Sequence, residues 1–174
     1  HALNSQLDNR IEIQILRNAD DAFSELLFSG LGAHGNVELD GPYGKFVLED
    51  ASTRPLIFVA FGVGFAPIKS LIQHAMSLDL AESMDLHWLA DEAGHYQNNL
   101  CRAWTDALDN FSYVPHAHSD DVEANLANIV SDYPDLHRFD VYAAGTTGQL
   151  QIARRLFLEH GLPEQQWRDG SIDM

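Results

Sequence analysis

The run Leu56-Ile-Phe-Val-Ala60 is apolar at every position, and this constrains the chain more than any other feature. A strand with one wet face alternates apolar and polar residues. A strand that is apolar throughout needs cover on both faces, as in a parallel sheet flanked by helices. No membrane span is expected, because residues 55–72 are interrupted by Gly62, Gly64, Pro67 and Lys69.

Downstream, strand and helix patterns alternate. Residues 67–77 carry Ile68, Leu71, Ile72, Ala75 and Met76 at helical spacing; residues 85–89 read as strand and 97–108 as helix. Residues 111–114 then read as strand, 122–130 as helix, 140–144 as strand, and 148–160 as a helix stopped by Gly161 and Pro163. Parallel strands joined through helices predict a doubly wound α/β domain over residues 55–174, with strands 56–59, 86–88 and 141–143 adjacent in its core. Trp88, Trp104 and Trp167 read as core or half-buried residues.

The first third reads differently. Ile11-Glu-Ile-Gln-Ile15 and Asn36-Val-Glu-Leu-Asp40 alternate with period two, Gly41-Pro-Tyr-Gly44 is a turn, and Phe46-Val-Leu48 is a third predicted strand. Residues 20–28 predict a short helix with Asp20 or Asp21 as its cap. Together they describe a small antiparallel unit, too short to close a barrel by itself. The start, His1-Ala-Leu-Asn-Ser5, has neither Met nor the charged and apolar regions of a signal peptide, and reads like the interior of a longer polypeptide.

Charge and cysteine content exclude several functions. With 26 Asp and Glu against 10 Lys and Arg, the net charge of -16 repels polyanions, so nucleic acid is not an expected partner. Lys45 and Lys69 are too isolated to form a basic patch. Such acidity suits an electron-acceptor protein with a basic docking face, and equally serves solubility. One cysteine, Cys101, permits no internal disulfide and no thiolate-ligated cluster, and fits a reducing, cytoplasmic compartment. His116-Ala-His118, followed by Asp120 and Asp121, offers two imidazoles without a third ligand, so no metal site is assigned.

Two strand ends carry candidate chemistry. In Ala60-Phe-Gly-Val-Gly-Phe-Ala-Pro67, glycines at 62 and 64 permit positive φ and close approach of a phosphate, and the next helix offers its N-terminal N–H groups. The same glycines also suit a tight strand-to-helix turn present for packing alone. In Ala143-Ala-Gly-Thr-Thr-Gly-Gln149, the hydroxyls of Thr146 and Thr147 either bond a ligand or cap the helix.

The ordered blocks Gly41-Pro-Tyr-Gly-Lys-Phe46, residues 55–71, Leu86-His-Trp-Leu89 and Asp140-Val-Tyr-Ala-Ala-Gly145 resemble the ferredoxin-NADP reductase superfamily. Flavin reductases and the reductase components of oxygenases and deoxysugar enzymes are most similar. The resemblance implies that residues 1–50 are the last part of a flavin-binding β-barrel, that 55–174 bind NAD(P), and that electrons pass from NAD(P)H through FAD to an acceptor. It implies dinucleotide contacts at Gly62, Val63, Gly64, Phe65 and Pro67, with the nicotinamide near Gly145, Thr146 and Thr147, and a flavin pyrophosphate contact at Ser24.

This chain departs from the family pattern at several of those positions. Val63 replaces a threonine, Ala144 stands where many relatives have cysteine, and Asp20 and Asp21 oppose a pyrophosphate near Ser24. An Arg-x-Tyr-Ser flavin segment is expected upstream of His1. Asp91 and Glu92 follow the second strand where relatives often carry an arginine for an adenosine phosphate, so NADH is expected over NADPH. The alternative is a reductase-like domain without cofactor that acts as a binding or regulatory subunit.

Overall fold

The computed structural model describes residues 2–4, 12–15, 17, 20–30, 35–38, 40–41, 43–79, 81–91, 93–117 and 121–172. In chain order, β1 (Ala2–Asn4) pairs antiparallel with β2 (Glu12–Gln14), and α1 (Ala22–Glu25) runs into a π-helical turn at Leu26–Gly30. Then come β3 (Leu56–Phe61), α2 (Phe65–Leu78), β4 (Met84–Ala90), α3 (Asn98–Ala107) and β5 (Phe111–Ala117). The chain continues through α4 (Val122–Ser131), β6 (Asp140–Gly145), α5 (Thr147–Glu159) and β7 (Trp167–Ser171).

β3 to β7 form one parallel sheet in the order β5-β4-β3-β6-β7. Its central strand is the apolar run, and successive side chains go to opposite faces. Leu56, Phe58 and Ala60 pack with Ile68, Leu71, Ile72 and Ala75 of α2 and Cys101 of α3. Ile57, Val59 and Phe61 pack with Leu126, Ile129 and Val130 of α4 and Ala153 and Phe157 of α5. Two helices therefore cover each face, as the doubly wound reading requires. Ile57, Phe58 and Val59 are fully buried. Each contributes about 1.5–3 kcal/mol of hydrophobic stabilisation. Trp88 is fully buried and Trp167 nearly so, with Trp104 partly buried against the α2 and α3 core.

The antiparallel unit is smaller than the alternation suggests. Among the described residues, neither 35–38 nor 43–49 forms a strand. Ile11 and Leu39 lie outside the described residues. Phe46 and Leu48 instead lie on the α/β core, with Val47 pointing outward at 63% exposure. Their period-two pattern is satisfied by packing on a neighbouring core rather than by a ladder. The Phe46 ring fills the space beside Gly170 and tilts against Tyr142 at 6.2 Å. The Glu49 N–H donates to the Tyr142 hydroxyl at 2.9 Å, Ser52 donates to the buried Asp140 carboxylate, and Arg54 pairs with Asp140 at 3.6 Å. This clasp sits at the amino ends of the strands, opposite the ligand end expected of such a sheet.

Candidate functional site

β3 and β6 are neighbours in the sheet although about eighty residues separate them, and the connections leave them in opposite directions. That reversal opens a crevice at their carboxyl ends, where ligands of open α/β sheets bind. Here β3 enters a 3-10 turn at Gly62–Gly64 and then α2. Gly62 has φ +51, and a Cβ there would point into open space. Gly64 differs from the sequence expectation of a positive φ: its φ is -60, ordinary for any residue. It is glycine because a Cβ would lie 2.2 Å from the Ala144 carbonyl oxygen at the end of β6. One glycine therefore turns the chain and the other lets two strand ends touch.

The turn is held from below. Phe65 is buried and stacks on Trp88 with centroids 3.9 Å apart and planes 12° apart, and the Trp88 indole N–H donates to the Gly62 carbonyl at 2.9 Å. The Phe65 N–H turns back to the Gly62 carbonyl, so this residue serves the turn and the core. Pro67 stands in the first turn of α2, where its missing N–H leaves no helix hydrogen bond unmade. Val63 is exposed at 38% and faces the cleft described below.

Across the crevice, Thr146 N-caps α5 in a capping box: its hydroxyl accepts from the Gln149 N–H, and its own N–H donates to Gln149 Oε1 at 3.0 Å. Thr147 Oγ1 lies 3.2 Å from Ser171 Oγ on β7. Gly145 packs under the Phe61 ring, 2.7 Å from where its Cβ would stand. Capping is thus an observed role of Thr146, and the small residues let the two loops meet.

On the β4 side lies a cleft of about 530 Å³ lined by Gln14, Ile15, Gly62, Val63, Asp91, Ala93, Gly94, Tyr96 and Gln97. It joins the turn to the predicted ribose acceptor, Asp91, whose Oδ1 accepts from the Gly94 N–H. Glu92 lies outside the described residues. Polar contacts tie the cleft's other wall, β2, in place. Lys69, buried on α2, pairs with Glu12 at 2.7 Å, and the Tyr96 hydroxyl donates to Gln14. The Lys69 hydrogen bond holds the Glu12 carboxyl below its usual range, and burial raises the Tyr96 phenol to about 12. Sequence reasoning missed Gln14, Tyr96 and Gln97. The available signal was a polar pair at a strand-to-helix junction beside the Gly62 turn.

Ser24 lies apart from this crevice, buried in α1. The Asp21 carboxylate accepts from Phe23 N–H at 3.2 Å and Ser24 N–H at 3.1 Å. Those donors already hold an anion, so α1 does not fit a flavin pyrophosphate. His116 bonds to His87 at 2.9 Å, and His87 to the Tyr133 hydroxyl at 2.6 Å. Burial, then the neighbouring His116, lower the His87 imidazole to about 3, so it is neutral. His118 and Asp120 lie outside the described residues, and among the described residues no three side chains are placed to hold a metal. Among the same residues no helix is long and apolar enough to cross a membrane.

No protein-family model matches the chain. It is 27% identical over 166 residues to the CDP-6-deoxy-L-threo-D-glycero-4-hexulose-3-dehydrase reductase of Yersinia pestis, covering 92% of this chain and 50% of that protein. It is 26% identical over 143 residues to the NAD(P)H-flavin reductase of Vibrio harveyi, covering 78% of this chain and 60% of that one. The chain thus spans about half the length of the curated relatives it matches. Among solved structures, the Amycolatopsis cytochrome P450 reductase GcoB superposes with a TM-score of 0.78 at 17% identity, over 97% of this chain and 58% of that one. A ferredoxin NADP+ reductase from Neisseria gonorrhoeae with bound FAD and NADP superposes with 0.71 at 13% identity, over 98% and 77%. Over 92% of its length the chain is thus similar in sequence to a deoxysugar dehydrase reductase, and it shares the fold of a ferredoxin NADP+ reductase.

Proposed function

We propose that this chain is the nicotinamide-dinucleotide-binding part of a flavin-dependent reductase that passes electrons from NADH through FAD to an acceptor protein. One observation carries the reading: at the strand-order reversal, a positive-φ Gly62 with open space at its Cβ position leads into the 14-residue helix α2. Such a turn suits a pyrophosphate, because its N–H groups and the helix N-terminus both favour negative charge. When bound, NADH supplies the hydride and FAD relays the electrons; the protein's part is binding and orientation. In this reading Gly62, Val63 and Gly64 meet the pyrophosphate, Gly145 and Thr146 face the nicotinamide, and Asp91 accepts from a ribose hydroxyl. Phe65 and Pro67 support the turn.

Residues 1–50 are read as the end of the flavin barrel. With Asp21 on the α1 donors, the grip on FAD comes from elsewhere in the intact reductase. Names of the relatives support this reading: a dehydrase reductase, an NAD(P)H-flavin reductase and a monooxygenase reductase component. Nothing in them favours the cofactor-free alternative. A cytoplasmic setting fits the single, buried cysteine.

Calorimetric titration of the chain with NADH and NADPH tests the proposal. NADH binds weakly, because the hydroxyl absent at Val63 forgoes about 0.5–1.5 kcal/mol. NADPH binds less well, because Asp91 repels the added phosphate. Absence of binding by either nucleotide at millimolar concentration overturns the reading, and a preference for NADPH overturns the role of Asp91.

A further inference from the structure

Four polar side chains away from the crevice form one continuous hydrogen-bonded chain that dinucleotide binding does not use. Asp85 and His87 stand two apart in β4 and share a face, and the register of His87 with Val59 puts that face under α4 and α5. The Tyr133 hydroxyl, just beyond α4, donates to Asp85 Oδ2 at 3.2 Å and lies 2.6 Å from His87 Nε2. His87 Nδ1 lies 2.9 Å from His116 Nε2 on the edge strand β5. His87 is buried, whereas Asp85 and His116, at the two ends, are each partly exposed.

A hydroxyl carries one proton and a neutral imidazole one N–H, so the ends of this chain dictate its middle. With Asp85 ionised, the Tyr133 O–H donates to the carboxylate. His87 Nε2–H must then donate to the Tyr133 oxygen, and His87 Nδ1, left as a lone pair, accepts from His116 Nε2–H. With Asp85 protonated every bond reverses: the carboxyl donates to Tyr133, Tyr133 to His87 Nε2, and His87 Nδ1–H to His116 Nε2. Burial is the chief influence on both ends. It raises the Asp85 carboxyl and lowers the His116 imidazole, drawing their proton affinities together from opposite sides. Asp132, at the C-cap of α4, favours the charged form of His116, and His95, ahead of α3, opposes it. On the covering helices, Glu123 pairs with Arg155 at 2.8 Å and Asp121 caps α4.

We infer that Asp85, Tyr133, His87 and His116 are a proton relay near the edge of the sheet, in which a proton taken up at His116 Nδ1 is bound at Asp85. The transfer balances. His116 gains a proton at Nδ1 and gives one from Nε2 to His87 Nδ1; His87 gives its Nε2 proton to the Tyr133 oxygen, and Tyr133 gives its own to Asp85. Both rings and the phenol end neutral, with the two histidines changed from the Nε2–H to the Nδ1–H form. The relay stands independently of the dinucleotide reading.

Long-range nitrogen–proton NMR spectra of the histidine-labelled 174-residue chain report both tautomers, with His87→Gln and His116→Gln to assign the signals. At pH 8 both rings are expected as Nε2–H. On acidification both change to Nδ1–H at one shared midpoint, together with the Asp85 carboxyl carbon. Asp85→Asn stands in for the protonated acid, its amide N–H replacing the carboxyl O–H, so both rings are Nδ1–H already at pH 7. In Tyr133→Phe the shared midpoint is lost. The relay is overturned by a His87 tautomer that ignores pH while His116 becomes an imidazolium, by an Asp85→Asn protein whose rings stay Nε2–H, or by a joint change that survives Tyr133→Phe. Should Tyr133→Phe not fold, Asp85→Asn decides alone.

Discussion

Replacing Gly64 by alanine tests whether its role is contact between strand ends rather than backbone freedom. The new Cβ would lie 2.2 Å from the Ala144 carbonyl oxygen, 2.6 Å from its carbon and 3.1 Å from the Gly145 nitrogen. All three are backbone atoms, so no side chain can swing aside. Relief requires the end of β6 to move about an ångström away from β3, straining the ladder where Ala60 faces Ala144. Overpacking of a well-filled site costs about 1–3 kcal/mol and sometimes more, and a backbone-to-backbone clash belongs at the upper end. At about 3 kcal/mol, Tm falls by roughly 6–12 °C for a chain of this size. Gly62→Ala is the control. It meets no atom within 4 Å but must adopt φ +51, which costs about 1–2 kcal/mol, or roughly 2–8 °C. Scanning calorimetry on both variants, followed by NADH titration, separates the roles. Gly64→Ala loses more stability, whereas Gly62→Ala loses proportionately more affinity, because its Cβ enters ligand space. A Gly64→Ala variant as stable as the unaltered chain, or more stable than Gly62→Ala, would falsify the close-contact argument.

The Glu12 carboxyl is lowered chiefly by its Lys69 hydrogen bond. Its contribution to stability is therefore complete above the unfolded carboxyl value of about 4.3 and is lost as pH falls through the lower folded value. Thermal melts of the chain and of Glu12→Gln should differ at pH 6 and converge in strong acid; a gap that widens on acidification contradicts the pairing. His87 works through the opposite protonation state: it is held neutral down to about 3, while the unfolded imidazole takes up a proton near 6.5. Between those values the unfolded state binds the extra proton, so acidification costs stability by up to about 1.4 kcal/mol per pH unit. Replacing His87 by Gln should flatten that limb in melts from pH 7 to 4, and an unchanged slope would place the acid sensitivity elsewhere. Tyr133→Phe leaves the His87 Nε2 unpaired and should cost about 1–3 kcal/mol in urea denaturation. In Asp91→Asn the gap between NADH and NADPH affinities narrows, and an unaltered ratio shows that the acid does not face the second phosphate.

The sheet was legible because its signal is carried by local pattern. Residues 56–61 are a continuous apolar run, 141–144 are apolar after Asp140, and 84–90 carry Leu86, Trp88, Leu89 and Ala90 around Asp85 and His87; the helices between them keep a 3.6-residue period, so element types and the doubly wound class follow without knowledge of contacts. β7 was not legible: Trp167-Arg-Asp-Gly-Ser171 has the composition of a turn and is a strand because β6 offers it an open edge. Phe46-Val-Leu48 failed in the other direction, since alternation records only that one side is buried and not whether a strand or a core buries it.

At the site, the sequence alone determined that glycines and a helix start follow the central strand, that Asp91 follows the next one, and that Gly145 and Thr146 end a third. Chain order and residue type are enough for that, because strand ends in such a sheet converge on one edge. Only the tertiary structure decided what each residue does there. It made Gly64 a contact with Ala144 rather than a flexible joint, turned Phe65 into the core against Trp88, and used Asp21 to saturate the donors beside Ser24. It also brought Glu12 and Lys69, which lie 57 residues apart, into one ion pair behind the wall of the cleft. Close contacts and ion pairs depend on distances between segments remote in sequence, and periodicity carries no record of those distances.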